Sequence, residues 1–270
     1  MTIRHKTVKT IMTKSKLPAS DYAVNPYVGC PHKCVYCYAC FMKRFTGHEE
    51  PWGEFIDIKE FPPIKNPSQY DGKKLFFGSV TDTYNPYEAE YMKTQEILTQ
   101  FVGTKADITI ATKSNLVVRD LDILKQLPCL TVAFSLNTID ENFRKDMDGA
   151  SSIKERIDAM KVLHDNGINT VTFISPIFPA ITSVEEIVQA TKAHCNEYWL
   201  ENLNLRGGYK QVIMDYVKRN YPQNMPIYDA IYNEKDKQYW VDLSHQLELY
   251  AETENVKMIN YFYHELIRKK

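Results

Sequence analysis

Short apolar runs alternate with longer amphipathic segments along most of the chain. KLFFG at residues 74–78 and LTVAFSL at residues 130–136 have the nearly continuous apolar character of strands that are buried in a sheet. The segments between such runs, for example residues 87–101, carry apolar side chains at helical spacing. Repeated strand-then-helix units predict an α/β fold whose parallel sheet curls toward a barrel.

Six strands and six helices follow from this pattern. The strands are predicted at residues 22–25, 74–78, 107–112, 130–136, 169–175 and 198–205. The helices are predicted at residues 87–101, 118–127, 151–166, 183–195, 209–220 and 235–254, with a proline-bearing turn at 222–226. In parallel barrels the reactive groups lie on the loops that follow the strands, so the catalytic residues are expected on those loops.

The order of these elements divides the chain into three parts. Residues 21–205 are expected to form a partial (β/α)6 barrel of parallel strands, similar to a TIM barrel. Residues 1–20 form an N-terminal arm, interpreted as a solvated edge strand, with a nucleic-acid contact through its basic residues as the alternative. Residues 206–270 form a mostly helical extension that is expected to cap the barrel. No internal repeat or Gly/Ser linker marks any other boundary.

Composition fits one large domain and argues mildly against polyanionic partners. The 270 residues are 44% hydrophobic, enough for a large core, and the formal net charge of −1 provides no global positive field for nucleic acid. A local basic groove remains compatible with that charge. No apolar run approaches the roughly 20 residues that a membrane span requires, and the N-terminus lacks a signal-peptide core. We therefore expect a soluble, cytoplasmic protein without a membrane partner.

Candidate chemistry is concentrated in NPYVGCPHKCVYCYACFM at residues 25–42. Four of the six cysteines lie there, at Cys30, Cys34, Cys37 and Cys40. In a reducing compartment a tight cluster more often holds metal than disulfides. Zinc usually takes two separated pairs of ligands, so a zinc site would need Cys40 or a histidine, His32 or His48, beside the first three thiols. Three thiolates can instead hold three irons of a [4Fe–4S] cluster and leave the fourth iron open.

The spacing Cys30-x3-Cys34-x2-Cys37, with Tyr36 before the last cysteine, resembles the cluster motif of radical S-adenosylmethionine (SAM) enzymes. Further segments resemble the spore photoproduct lyase-like branch of that superfamily, over roughly residues 8–205. They are NPYVGCPHKCVYCYA, FMKRFTGHEEPWG, GSVTDTYNPYE, ATKSNLVVRDLDIL and the stretch from Phe134 through SPIFP.

This resemblance implies a mechanism and its cofactors. The cysteines Cys30, Cys34 and Cys37 would ligate a [4Fe–4S] cluster whose open iron binds SAM. One electron, from an external reductant such as flavodoxin or ferredoxin, would split SAM into methionine and a 5′-deoxyadenosyl radical that abstracts hydrogen from a substrate. The candidate SAM contacts are Ser79 and Thr81 for the amino group, Lys113 for the carboxylate, Ser135 and Asn137 for the carboxylate or ribose, the backbone of Tyr36 for the adenine, and Arg156 as a further carboxylate partner.

Two questions stay open at this point. Cys40 is left out of the ligand set because a fourth thiolate would close the cluster; it is expected to pack nearby and is a candidate hydrogen donor. Spore photoproduct lyases proper carry a donor cysteine near the second-strand loop, and FFGSVTD at residues 76–82 has none, which puts thymine-dimer repair in doubt. Nucleic acid, a peptide or protein, and a small metabolite remain as substrate classes. The alternatives are a non-catalytic zinc- or Fe–S-binding module and electron transfer through a closed cluster.

Overall fold

Two β-sheets and nine α-helices make up the part of the chain that the computed structural model describes, residues 1–16 and 20–263. The strands are β1 (Thr2–Thr7), β2 (Met12–Lys14), β3 (Tyr22–Val24), β4 (Tyr27–Val28), β5 (Phe55–Glu60), β6 (Lys74–Phe77), β7 (Asp107–Thr112), β8 (Leu130–Ser135), β9 (Asn169–Ile177), β10 (Glu197–Asn202) and β11 (Met258–Asn260). The helices are α1 (Glu88–Tyr91), α2 (Lys93–Gln100), α3 (Leu121–Leu124), α4 (Glu141–Met147), α5 (Ile153–Asp165), α6 (Val184–Thr191), α7 (Tyr209–Asn220), α8 (Met225–Tyr232) and α9 (Gln238–Glu254).

The larger sheet has eight strands in the order β11-β10-β9-β8-β7-β6-β3-β2. Every pair from β3–β6 to β10–β11 is parallel, and β2 adds an antiparallel edge. All six predicted strands are present, as β3 and β6 to β10. The edge strands β2 and β11 do not pair with each other within the described residues, so the barrel is open. The prediction of an α/β, partial TIM-like barrel is confirmed.

Helices cover one face of this sheet, and the other face lines an open recess. On β7, Ile108 and Ile110 are buried in a core shared with α2 and α5, whereas the alternate residues Thr109 and Ala111 are only partly buried. Side chains of a strand point alternately to opposite faces, so Thr109 and Ala111 lie on the concave face. A partial barrel therefore leaves a partly exposed inner surface that leads to the C-terminal ends of the strands.

The C-terminal extension contributes both helices and a strand. Helix α7 occupies the predicted residues 209–220, and α9 lies within the predicted 235–254. Two elements were not predicted: β11, which pairs in parallel with β10, and α8, which begins at Met225 at the end of the expected turn. Proline is tolerated in the first turn of a helix, where its missing N–H needs no partner, so Pro226, the second residue of α8, does not prevent the helix.

The expected helix over residues 87–101 is divided at Met92, whose φ is 50°. The cause is the buried carboxylate of Glu88, which accepts hydrogen bonds from the backbone N–H groups of Thr94 and Gln95 at the start of α2. A carboxylate at a helix N-terminus satisfies otherwise unpaired donors, so the chain begins a new helix here.

Among the described residues, no helix is long and apolar enough to span a lipid bilayer.

A second, three-stranded sheet was not predicted. Its order is β1-β5-β4, with β1 parallel and β4 antiparallel to β5. The N-terminal arm thus forms a largely exposed edge strand, β1, as interpreted, but on this second sheet. Strand β5 is buried along Phe55–Ile58, and Ile56 and Ile58 pack with Tyr27 of β4. Because β4 ends immediately before the cysteine-bearing loop, the second sheet supports that loop.

Candidate active site

The cysteine-bearing loop lies at the C-terminal edge of the large sheet and is tightly attached to its neighbours. It starts at Gly29, whose φ is 90°, and a Cβ there would lie 2.3 Å from the carbonyl oxygen of Phe55 on β5. Only glycine allows β5 to come so close. The hydroxyl of Thr81, on the loop after β6, donates to the Gly29 carbonyl at 2.8 Å. Both sheets therefore fix where the loop begins.

The thiols of Cys30, Cys34 and Cys37 lie close enough to influence one another. Burial raises the pKa of Cys30 and of Cys34 to about 12 and that of Cys37 to about 11. The pKa of each thiol is also raised by the charge of one of the other two. All three remain partly accessible to solvent, as expected of side chains that line a recess. Three half-buried sulfurs that repel one another as thiolates need a cation to become deprotonated together, which is the electrostatic requirement that a metal cluster satisfies.

The arrangement of these ligands does not suit a single zinc ion. Among residues 1–16 and 20–263, no three His, Cys, Asp or Glu side chains converge on a point where one metal ion could be held. A cubane cluster instead binds each cysteine to a different iron, so its ligands need not converge. Cys40 is the third residue of a 3₁₀ helix, Tyr38–Phe45, and its pKa is raised chiefly by burial. The donor set therefore fits a cluster held by three thiols.

Lys113 follows β7 and faces the cysteine-bearing loop. Its Nζ lies 5.8 Å from the centroid of the Tyr36 ring. Its positive charge partly offsets the effect of burial on the pKa of Cys34 and of Cys37. The ammonium group is thus directed into the recess, where a carboxylate of a ligand could pair with it. Its contact with SAM stays a prediction.

Asp82 joins the cysteine-bearing loop to the ends of β6 and β7. Its carboxylate accepts hydrogen bonds from the Thr112 hydroxyl at 2.8 Å and the Lys113 backbone N–H at 2.7 Å. Nε2 of His32, between the cysteines, lies 3.2 Å from the same carboxylate, without hydrogen-bond geometry. Burial by itself would raise the pKa of Asp82, but the His32 ring, the Lys113 backbone N–H and the Thr112 hydroxyl hold that pKa at about 2. His32 therefore positions the loop from inside the cysteine motif, a role that spacing alone did not reveal.

The predicted amino-group contacts, Ser79 and Thr81, are already used by the protein. Asn25 Nδ2 donates to Ser79 Oγ at 2.9 Å, and Asn25 Oδ1 accepts from the backbone N–H of Val80. Tyr38 donates its hydroxyl to the Ser79 carbonyl oxygen. These bonds, together with that of Thr81 to Gly29, tie the β6 loop to the cysteine-bearing loop. Any contact of Ser79 or Thr81 with SAM would be made beside this structural role.

Arg156 is a buried brace. Its guanidinium donates to Asp148 Oδ1 at 2.6 Å and to the carbonyls of Ser135 and Ser151 at 3.1 and 2.8 Å. Asp148 also accepts the hydroxyl of Tyr36 at 3.3 Å. The guanidinium is thus directed at protein acceptors on three sides, and it positions Ser135 and Tyr36. The contact of Arg156 with a SAM carboxylate, expected from the resemblance, stays a prediction and has to compete with these partners.

Asn137, just after β8, provides the clearest sign of a missing ligand. Its side chain is 2% exposed, and its Nδ2 has no hydrogen-bond partner among the described residues. A buried, unsatisfied amide costs about 1–3 kcal/mol. An oxygen acceptor of a bound molecule would remove that cost. The resemblance assigns this position to the SAM carboxylate or ribose, and the unpaired donor fits that assignment.

Across the recess, Ser175 on β9 donates its hydroxyl to the Glu201 carboxylate on β10. The register between β9 and β10 shifts at Glu201, and such irregularities re-aim side chains at the end of a strand. Phe173 and Trp199, on the same inner face, pack edge to face with ring centroids 5.9 Å apart. Glu201 was not predicted, because its place opposite the cysteines depends on the curl of the sheet.

Comparison with known proteins agrees with this geometry. Residues 24–192 match the model of the Radical SAM superfamily. An uncharacterized protein of Methanocaldococcus jannaschii is 35% identical over 235 residues, which are 87% of this chain and 88% of that protein. The radical SAM Nα-GlyT isomerase of Pseudomonas phage M6 is 27% identical over 166 residues, which cover 60% of this chain and 34% of that enzyme.

Two solved structures share the fold. Spore photoproduct lyase, with bound AdoMet and dinucleoside spore photoproduct, superposes with a TM-score of 0.59 at 16% identity, covering 82% of this chain and 66% of that enzyme. SuiB of Streptococcus suis superposes with a TM-score of 0.53 at 15% identity, covering 91% of this chain and 50% of SuiB. The chain thus spans just under two thirds of the first enzyme and half of the second.

Proposed function

Because the chain belongs to the radical SAM superfamily, and is therefore an enzyme of that class, we propose that Cys30, Cys34 and Cys37 hold a [4Fe–4S] cluster that binds SAM. The observation that carries the proposal is the set of three mutually interacting, half-buried thiols on one loop at the C-terminal edge of a parallel sheet. When bound, the cluster and SAM supply a one-electron cleavage that yields methionine and a 5′-deoxyadenosyl radical.

The chain's own residues bind and orient these groups. The three cysteines act as thiolates once the positive charge of the metal offsets the effect of burial. The Lys113 ammonium pairs with the carboxylate of SAM, and Nδ2 of Asn137 donates to a carboxylate or ribose oxygen. Tyr36, held by Asp148 through its hydroxyl, offers its backbone to the adenine.

The inner face of the open barrel receives the substrate. Phe173, Trp199 and Glu201 lie there, across the recess from the cysteine-bearing loop. The partly exposed surface keeps nucleic acid, a peptide and a small metabolite as substrate classes. Cys40 is proposed to remain outside the ligand set, with hydrogen donation to a product radical as its candidate role. The external reductant and the cytoplasmic location stay predictions.

Anaerobic reconstitution with a matched pair of variants tests this proposal. The wild-type chain is expected to bind about four irons and four sulfides and, with dithionite, to convert SAM to 5′-deoxyadenosine. Cys34→Ala is expected to abolish cleavage, and Cys40→Ala to retain the cluster and the cleavage. The ligand assignment would be wrong if Cys40→Ala abolished cleavage while Cys34→Ala left it intact. A colourless wild-type protein with one zinc per chain would refute the proposed radical SAM chemistry as a whole.

Asn137→Ala tests the SAM site separately from the cluster. Loss of one hydrogen bond of about 0.5–1.5 kcal/mol predicts SAM binding weaker by up to about tenfold, with iron content unchanged. Equal SAM affinity in wild type and variant, measured by equilibrium dialysis, would exclude Asn137 as a contact.

A further inference from the structure

A row of exposed aromatic side chains follows the cysteines directly. Within the 3₁₀ helix Tyr38–Phe45, the side chains of Tyr38, Phe41 and Phe45 are 58%, 43% and 62% exposed. Among the described residues, these three are the only aromatic members of the large exposed hydrophobic set. We call this surface, together with Lys43 and Arg44, the aromatic face. Exposed apolar groups that gather in one place usually mark an interaction site.

The aromatic face carries positive charge. Lys43 and Arg44 are the only charged residues of the helix. The Arg44 guanidinium lies 4.6 Å from the centroid of the Phe45 ring and 5.5 Å from that of Phe41. Stacking of this kind orients a guanidinium while leaving its N–H groups available to an acidic partner. The surface is therefore suited to an apolar contact that is flanked by carboxylates.

The same surface adjoins Cys37 along the chain, and at its start the Tyr38 hydroxyl donates to the Ser79 carbonyl oxygen of the β6 loop. The helix begins at the residue after Cys37, and a 3₁₀ helix rises about 2.0 Å per residue, so its eight residues extend no more than about 16 Å from Cys37. Ala39 is buried beneath the exposed side chains. A molecule seated on the aromatic face would thus be separated from Cys37 by little more than one helix.

We propose that the aromatic face is the docking site for the one-electron donor, an acidic carrier protein of the flavodoxin or ferredoxin type. The inference rests on the proposed function, which requires one electron per SAM cleaved. In that step the reduced carrier loses one electron and the oxidised cluster gains it, with no bond made or broken in the carrier.

Size and charge favour such a carrier over the other anionic partner, a nucleic acid. Electron-transfer encounters use small interfaces, below about 1,200 Å², and the exposed side chains of one eight-residue helix suit that scale. Two cations accelerate the encounter with an acidic protein by electrostatic steering. Nucleic acids, by contrast, are typically held through about 6–10 phosphate contacts, far more than Lys43 and Arg44 provide.

The test measures the rate of cluster reduction in the reconstituted full chain, followed by bleaching of its visible absorption in a stopped-flow instrument. The electron sources are reduced flavodoxin and, separately, dithionite. The variant is Lys43→Glu/Arg44→Glu. The matched control, Lys154→Glu/Lys161→Glu, makes the same change in net charge on exposed positions of α5. Iron content of each protein shows whether its cluster site is intact.

With flavodoxin at low salt, the Lys43→Glu/Arg44→Glu variant is expected to be reduced about 10- to 100-fold more slowly than wild type, since steering contributes factors of that size. The control is expected to match wild type, dithionite to reduce all three proteins equally, and the difference to shrink at high salt. Phe45→Ser, which removes apolar contact alone, is expected to weaken binding of flavodoxin to the apo chain in calorimetry.

Three results would overturn the docking proposal. One is equal flavodoxin rates in variant and wild type. Another is a loss of dithionite reduction or iron content in Lys43→Glu/Arg44→Glu, which would make the aromatic face part of the cluster site. The third is weaker binding of a fluorescent single-stranded oligonucleotide to the variant together with an unchanged flavodoxin rate, which would assign the surface to nucleic acid. Failure of wild-type SAM cleavage with dithionite would instead refute the proposed function and is seen independently of flavodoxin.

Discussion

Removing Asp148 should destabilise the fold, because it leaves the buried guanidinium of Arg156 without its counter-charge. The two side chains are 0% and 1% exposed, and their closest N···O distance is 2.6 Å. Deleting one partner of such a pair costs about 3–5 kcal/mol. We expect Asp148→Leu to lower the free energy of unfolding by about 4 kcal/mol, or the melting temperature by about 10 °C, since about 2–4 °C corresponds to 1 kcal/mol at this size.

The measurement is urea unfolding of the apo chain, with two companion variants. Asp148→Leu/Arg156→Met replaces the pair by apolar groups and is expected to recover at least about 2 kcal/mol, since buried ion pairs roughly break even against well-packed apolar residues. Asp158→Ala breaks a surface pair with Lys154 on the same helix, whose side chains are 59% and 83% exposed. Such pairs contribute about 0.3–0.5 kcal/mol, so this control should barely move the transition.

Two outcomes would refute the bracing role of Arg156. The first is an Asp148→Leu effect within about 1 kcal/mol of zero, which would mean that water or other groups replace the carboxylate. The second is an Arg156→Met variant with normal unfolding and markedly weaker SAM binding. That result would return Arg156 to the role implied by the family resemblance, a partner of the SAM carboxylate.

Two further predictions concern the second sheet. Gly29→Ala should lower both the unfolding free energy and the iron bound on reconstitution, because its Cβ would lie 2.3 Å from the Phe55 carbonyl oxygen at a φ of 90°. The control Gly47→Ala has nothing within 4 Å of its Cβ and should lower the unfolding free energy by only about 1–2 kcal/mol. Equal effects of the two substitutions would disprove the close-approach argument. Burial, assisted by the charge of Lys6, lowers the pKa of Lys59 from 10.5 to about 8, so the protonated form destabilises the native state by at most about 3 kcal/mol below pH 8. Lys59→Met should therefore be more stable than wild type at pH 7, and its advantage should decline between pH 8 and 10.5; a pH-independent difference in urea unfolding would contradict this.

Local patterns were enough to predict the main architecture. Apolar periodicity located β3 and β6 to β10 within a few residues, because a strand buried in a sheet carries its signal in its own side chains. The cysteine spacing, and the order of the loops that resemble the superfamily, identified the family before any contact was known. Lys113 and Asn137 could be selected as candidates from their positions just after strands, since that edge of a parallel sheet is the reactive one.

Non-local pairing decided the rest. Strands β1 and β5 pair with each other and β11 pairs with β10, in each case across a long stretch of sequence, so no local pattern revealed the second sheet or β11. The pairing of Arg156 with Asp148, and the contact of His32 with Asp82, likewise depend on where loops meet. The sequence determines which chemical groups are present. Whether the Arg156 guanidinium faces a ligand or the buried Asp148 carboxylate depends on distances and desolvation, which only the folded chain sets.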